Sequence, residues 1–512
     1  MASGFTIREK QYFDSVFLMG VNKRLSEEKG VQQTAVLMGT DNNKKLLADI
    51  GITDPQINSA KPNDLIVAVI ADTPDIVNAL LDNLDRYLEG SSQITSEIRL
   101  RTLDDGIRNR PDANLAVISV PGQYAAREAR KALEAGLNVF IFSSNVTIKD
   151  ELALKQFASG KGLLVMGPDC GTSIINGVCI GFANKVRKGN IGVVGASGTG
   201  LQEFTTQVHN AGSGISHAIG TGSNDLKDDI GGLTTISALR ALDKDKNTQV
   251  IVIVSKPPGK KTLEKIRHIT KDLEKPVIGC FLGVKGNMNE EKGNLHFVHT
   301  IDESVIQALL KSGKGTDSKA LELTSEEIDL AHQERDKFTS DQKYVRGIFA
   351  GGTFCYQSQQ VFQDAGIKVY SNGPIDKKML LADPDKSLEH SFVDMGDEHY
   401  TVGAPHPMID GRFRRERIIN EGNDPQVAIL LLDFILGYNA SMDPVRDILE
   451  SIVEAKQNAN QRGDHLCVVA SICGTEEDPQ DLIHQEKQLT DAGVFVFNGN
   501  AKATLFCVEL MK

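Results

Sequence analysis

Two glycine-rich turns carry the hydroxyl groups best placed to do chemistry in this chain. Gly195, Ser197, Gly198, Thr199 and Gly200 end the apolar run "IGVVGASGTG", and Gly351, Gly352 and Thr353 end "VRGIFAGGT". A strand that turns directly into a helix leaves first-turn N–H groups unpaired, with a partial positive charge. Glycine lets an anion approach that backbone closely, and Ser or Thr adds a hydroxyl donor. The chemistry to expect is the holding of a phosphate or carboxylate. Neither turn has the Gly-Lys-Ser/Thr ending of a Walker loop, and Gly-x-Gly-x-x-Gly is not matched. A turn that caps itself through Ser197 explains the first loop alone equally well. Two such turns, each at a strand tip, favour one anion shared by two helix ends.

Other stretches offer polar groups at strand exits. "MGPDCGTSIINGV" presents Asp169 and Cys170; no histidine partners the thiol in sequence, so a structural turn is the simpler reading. "FVDMGDEHYTVGAPHPMID" gathers Asp394, Asp397, His399, His406 and Asp410. Its spacing fits no standard metal cage, a His–Asp acid–base pair is a second option, and a surface turn is as strong as either. Lys256 in "VSKPPG" is a basic group at a strand end or a solvated lysine beside two prolines. Arg412 and Arg414 in "GRFRRER" read as a charged helix face.

The elements that must position these groups are short apolar runs alternating with amphipathic stretches. At 512 residues the chain needs about three domains. "TAVLMGT", "DLIVAVIAD", "NLAVISV", "NVFIFS" and "GLLVMGP" lack polar alternation, which predicts parallel sheets buried on both faces. The predicted class is α/β: a Rossmann-like domain over residues 1–188, then two flavodoxin-like domains over 189–312 and 344–512, joined by a polar linker over 313–343. The last two series repeat one order: strand, Gly/Thr turn, helix ending in Ala-Gly, then a fully apolar strand ("QVIVIV", "QVAILLLD"). That order predicts an internal duplication.

Composition narrows the partners. The net charge is −12 and no Lys/Arg block stands out, which argues against nucleic acid and an anionic membrane surface. No apolar run approaches the ~20 residues of a membrane span, and the start lacks a signal-peptide pattern. Seven cysteines without CxxC spacing predict reduced thiols and no metal cage, hence a cytoplasmic protein. Cys179, Cys280, Cys467 and Cys507 sit in apolar runs, where a buried thiol is expected.

The long stretch "LLVMGPDCGTSIINGV…GFANKVRKGNIGVVGASGTGLQE", with "VSKPP", "HPMID" and "VAILLLDFILG", resembles the FdrA family, related to succinyl-CoA synthetase, over nearly the whole chain. Residues about 110–310 resemble the synthetase α subunit, and about 344–512 the carboxyl-terminal domain of its β subunit. The resemblance implies that the turns at Ser197-Gly198-Thr199 and Gly351-Gly352-Thr353 are the two helix starts that bind phosphate. It breaks at the phosphohistidine segment, where the chain reads "VKGNMNEEKGNLHFVHT" and neither His296 nor His299 sits in the motif. It also breaks at the missing ATP-grasp domain and at the glycine-rich coenzyme A fingerprint. The family implies a carbamoyl or acyl transferase subunit of the oxamate carbamoyltransferase type in purine and allantoin catabolism, interconverting oxalurate plus phosphate with oxamate plus carbamoyl phosphate. No cofactor would then be required, and other subunits would complete an oligomer acting on small carboxylates and phosphate. The alternatives are an acyl-CoA ligase using a separate ATP-grasp subunit, with CoA bound, and a non-catalytic metabolite-binding scaffold. Ser197 to Gly200 and Gly351 to Thr353 are assigned to phosphate, His406 and Lys256 to catalysis, and Asp169, Cys170, Asp410 and Arg412 to the substrate. No metal ligand is assigned.

Overall fold

The computed structural model describes residues 2–11, 13, 15–26, 28–49, 51–88, 100, 102–284, 294–315, 322–401 and 404–512. It divides into two compact units, residues 1–100 with 402–405, and residues 101–401 with 406–512.

In the first unit, strands β1 (Ala2–Arg8), β2 (Val31–Met38) and β3 (Leu65–Ala71) form a sheet in the order β1-β3-β2. β3 pairs antiparallel with both neighbours, a split β-α-β arrangement. The expectation of a parallel Rossmann-like series through "TAVLMGT" and "DLIVAVIAD" is therefore corrected. β3 is apolar throughout because both faces are covered. Leu18, Val21, Leu25, Val77 and Leu80 pack with Val67 and Val69, whereas Leu47 and Ile57 pack with Ile66 and Ala68. Two-sided burial removes polar alternation whatever the strand direction.

The second unit holds three sheets. β4 (Leu115–Ile118), β5 (Asn138–Ile141) and β6 (Val165–Met166) are parallel. Next come β7 (Thr172–Ile175), β8 (Val178–Gly181), β9 (Lys188–Gly195), β10 (Ile215–Gly220), β11 (Val250–Ser255), β12 (Val277–Phe281) and β13 (Leu295–Val298), in the order β13-β12-β11-β9-β10-β7-β8. The hairpin β7–β8 pairs antiparallel with β10, so residues 172–181 belong to this sheet and not to the one before it. Residues 1–188 thus contribute to three sheets instead of forming one Rossmann-like domain.

The last sheet is wholly parallel: β14 (Tyr344–Phe349), β15 (Tyr370–Ser371), β16 (Ser391–Asp394), β17 (Val427–Ile435), β18 (Cys467–Cys473) and β19 (Phe495–Phe497), in the order β15-β16-β14-β17-β18-β19. In the first large sheet β9 lies between β10 and β11, and in the last β14 lies between β16 and β17, with the short β15 added outside β16. This is the flavodoxin-like 2-1-3-4-5 order. Within the expected linker, helix Ser325–Arg335 packs on the last lobe, with Ala331 buried and Glu334 hydrogen-bonded to His465 at 2.7 Å. Among the described residues no helix is long and apolar enough to cross a membrane.

Candidate functional site

Helix Gly198–Asn210 leaves the carboxyl end of β9, and helix Gly352–Asp364 that of β14. Both start where the strand order reverses, the place at which α/β sheets bind ligands. The two helix heads meet. The Ser197 hydroxyl hydrogen-bonds the Thr353 hydroxyl across the two lobes. A Cβ on Gly200 would fall 3.0 Å from Ser197 Oγ and 3.2 Å from Thr353 Cγ2, so glycine permits this approach. Ser197 also accepts the Gly200 N–H at 3.1 Å, so the first turn does cap itself. The second does not: its cap is Gly351, which has no side chain, and its first-turn N–H groups stay open.

Asp433, buried in the otherwise apolar β17, fixes this second turn. It accepts the N–H of Ala350 at 2.8 Å and of Gly351 at 2.7 Å. Arg414 pairs with Asp433 at 2.9 Å and also donates to the carbonyls of Ile348 at 3.0 Å and Asp433 at 2.8 Å. Arg414 is buried, which corrects its reading as a charged helix face. Burial raises the Asp433 carboxyl, while Arg414 and the two N–H bonds oppose the rise. Reasoning from sequence missed Asp433, although a single carboxylate in a nine-residue strand that is otherwise apolar was a visible signal.

Asp394, at the end of β16, lies against the head of the same helix. Its Oδ1 accepts the Gly396 N–H at 2.9 Å, and any side chain on Gly352 would collide with its Oδ2. Burial pushes Asp394 up to about 6, with Lys256 opposing. Lys256, at the end of β11, lies over the Tyr356 ring at 5.5 Å. His406 Nε2 would be 2.7 Å from a Cβ on Gly396, beside Asp394. The Met408 N–H donates to His406 Nδ1 at 3.2 Å, which leaves the ring proton on Nε2. Burial lowers His406 to about 4, despite Asp169 nearby. It is therefore a neutral hydrogen-bond donor at neutral pH, a poor base.

The structure thus gathers Ser197, Gly198, Gly200, Gly352, Thr353, Lys256 and His406, with Asp169 in electrostatic reach of His406. Other assignments need correction. Cys170 is buried, and burial raises its thiol to about 12, so it is neither a nucleophile nor an exposed ligand. Asp410 and Arg412 pair with each other at 2.7 Å at the start of helix Arg412–Gly422, with Arg412 exposed. Part of the expected phosphohistidine position, 285–293, lies outside the described residues.

Both helices are polar in sequence yet buried, because they form the junction between the lobes. Gln357 accepts the Ile301 N–H at 2.9 Å, and Gln360 accepts the Gly283 N–H at 2.7 Å. Glu203 accepts the Asn500 N–H at 2.8 Å, while Gln207 donates to both Glu203 and Asp302. Elsewhere, His209, Glu476 and Glu477 cluster as a metal site would. His209 Nδ1 already accepts the Arg187 N–H at 2.9 Å, so Nε2–H donates to Glu476 and no ring lone pair is free.

Three family models match this chain. They are a CoA binding domain over residues 186–278, a CoA-ligase model over 348–508, and "AllF, heavy metal-associated domain" over 1–100. Residues 1–100 contain no cysteine, so that last likeness brings no thiolate site with it. The chain thus carries regions similar to a CoA binding domain and a CoA-ligase domain, with an AllF-like N-terminal domain. The chain is 40% identical over 512 residues, 100% of this chain and 99% of the relative, to the "Uncharacterized protein YahF" of Escherichia coli (strain K12). It belongs to that protein's family. It is also 26% identical over 235 residues, 45% of this chain and 72% of the relative, to the "Succinate--CoA ligase [ADP-forming] subunit alpha" of Staphylococcus epidermidis (strain ATCC 12228 / FDA PCI 1200). A solved dinucleotide-forming acetyl-coenzyme A synthetase 1 from Ca. Korarchaeum cryptofilum overlaps 86% of this chain and 93% of its own, at 18% identity and TM-score 0.31.

Proposed function

We propose that this chain is the phosphate- and acyl-handling part of an acyl-CoA ligase that works with a separate ATP-grasp subunit. The observation that carries the reading is the meeting of two helix heads from two duplicated lobes at Ser197 and Thr353. Phosphate held there faces N–H donors from both lobes, positioned before the reaction, with the charge of Lys256 alongside. His406 Nε2–H is placed to donate to an acyl oxygen. The likeness to CoA-binding and CoA-ligase models supports this reading over carbamoyl transfer, which would use the same phosphate cradle.

Coenzyme A, when bound, supplies the thiol that accepts the acyl group. Helix Gly122–Glu134 begins at the carboxyl end of β4 with no side-chain cap, so its first N–H groups suit a diphosphate. Tyr124 and Val120 are exposed beside it and suit an apolar ring or pantetheine chain.

The test is to incubate the full chain with acetyl, succinyl or carbamoyl phosphate, with and without CoA, and to follow thioester and phosphate. CoA-dependent phosphate release that falls in Thr353→Val supports the ligase reading. Phosphate release from carbamoyl phosphate that needs oxamate and ignores CoA would replace it.

A further inference from the structure

Backbone N–H groups donate to any oxyanion, so the two helix heads alone do not tell phosphate from sulfate. We propose that Asp394 makes the site at the head of helix Gly352–Asp364 selective for an oxyanion that carries a proton, inorganic hydrogenphosphate, over a fully ionised one such as sulfate. This rests on the phosphate reading above and names the form of the anion that the site takes.

Asp394 is held firmly in place. Asn372 donates to its carbonyl at 2.9 Å and accepts its N–H at 2.9 Å, and Gly396 donates to Oδ1. Oδ2 has no such partner and lies against Gly352, the first residue of the helix whose N–H groups are open. An acidic oxygen at an anion's own binding place is costly unless the anion offers it a proton. An ionised carboxylate accepts the P–O–H of hydrogenphosphate, whereas sulfate presents only lone pairs and like charge.

The groups around Asp394 keep this discrimination local. Lys256 attracts the anion from the end of β11. Asp433 is spent on Arg414 and two N–H groups. His406 is neutral, the Cys355 thiol is held protonated by burial, and Asp397 adds negative charge. With Asp394 at about 6, its carboxyl is an acceptor at neutral pH and becomes a donor in acid. Sulfate is then admitted as the pH falls through that value, while phosphate binds in both regimes.

Calorimetric titration of the full chain with inorganic phosphate and with sulfate, near pH 7.5 and near pH 5.5, tests this. The expected preference for phosphate near pH 7.5 is about tenfold or more, the cost of an unpaired charged acceptor. Asp394→Asn, whose amide can donate to either anion, should narrow it to about threefold by raising sulfate affinity. In the wild type, sulfate affinity should climb by about tenfold from the higher pH to the lower, a readout that needs no variant. Preference retained in Asp394→Asn, or sulfate affinity flat with pH, overturns the role of Asp394. If Thr353→Val still weakens phosphate in that case, the phosphate site itself stands. No phosphate binding at either pH, or binding unchanged in Thr353→Val, overturns the site and this inference together.

Discussion

Arg414 and Asp433, 2.9 Å apart and both buried, form the brace behind the second glycine turn. Asp433 takes the Ala350 and Gly351 N–H groups, so the next N–H groups along the helix are the ones left for a ligand.

Removing one member of that brace strands a buried charge. Arg414→Ala should cost about 3–5 kcal/mol of stability. The double variant Arg414→Met with Asp433→Leu should recover much of that loss but still bind phosphate weakly, because the turn is no longer held. Urea unfolding and phosphate titration separate the two effects. Equal loss of stability in single and double variants would contradict the pairing.

Gly352→Ala places a methyl group against Asp394 Oδ2. Phosphate affinity should fall about tenfold and the melting temperature should drop with it, since Asp394 is tied to Asn372 and Gly396 and cannot give way freely. Adding Asp394→Ala should relieve the clash. If the second substitution restores nothing, Gly352 matters for a reason other than its contact with Asp394.

Stability should respond to pH from two sides. Burial depresses the folded-state value of His406 to about 4, and likewise of His390 to about 4. Between these values and the ordinary 6.5 the unfolded chain binds more protons. The contribution of these histidines is therefore complete above about 6.5 and lost as pH falls toward 4. His406→Gln should flatten that acid limb in a urea series.

Glu203 and Asp302 act in the opposite sense. Burial lifts Glu203 to about 8 and Asp302 to about 6, Glu203 further by the Asp302 charge. Their protonated forms are favoured on folding, so stability present below the ordinary carboxylate values is lost as pH rises through 8. Glu203→Gln keeps an oxygen for the Asn500 N–H and should make the protein more stable than wild type above that pH.

Lys155 sits buried between Glu151 and Asp225, at 2.8 Å from each, and donates to the Thr221 carbonyl at 2.9 Å. Asp225 in turn accepts the Thr234 and Thr235 N–H groups at the head of helix Leu233–Lys244. Lys155→Met should destabilise the chain by about 3–5 kcal/mol, as two carboxylates lose their cation. A loss within experimental error would contradict the pairing.

The sequence by itself determined what depends on neighbours in the chain: the α/β class, the repeated strand–turn–helix order and the two glycine turns with their hydroxyls. It also exposed the polar crowding around Asp394 and His406. Tertiary structure decided what depends on distant residues. Pairing direction in the first unit was hidden from local periodicity, because both faces of β3 are covered and two-sided burial removes polar alternation in parallel and antiparallel strands alike. The exposed Arg412 and buried Arg414 share one charged run, and only the position of Asp433 across the sheet separates them. Ser197 and Thr353 meet because two lobes of one topology pack helix to helix, and no local pattern encodes a contact between residues so far apart in the chain.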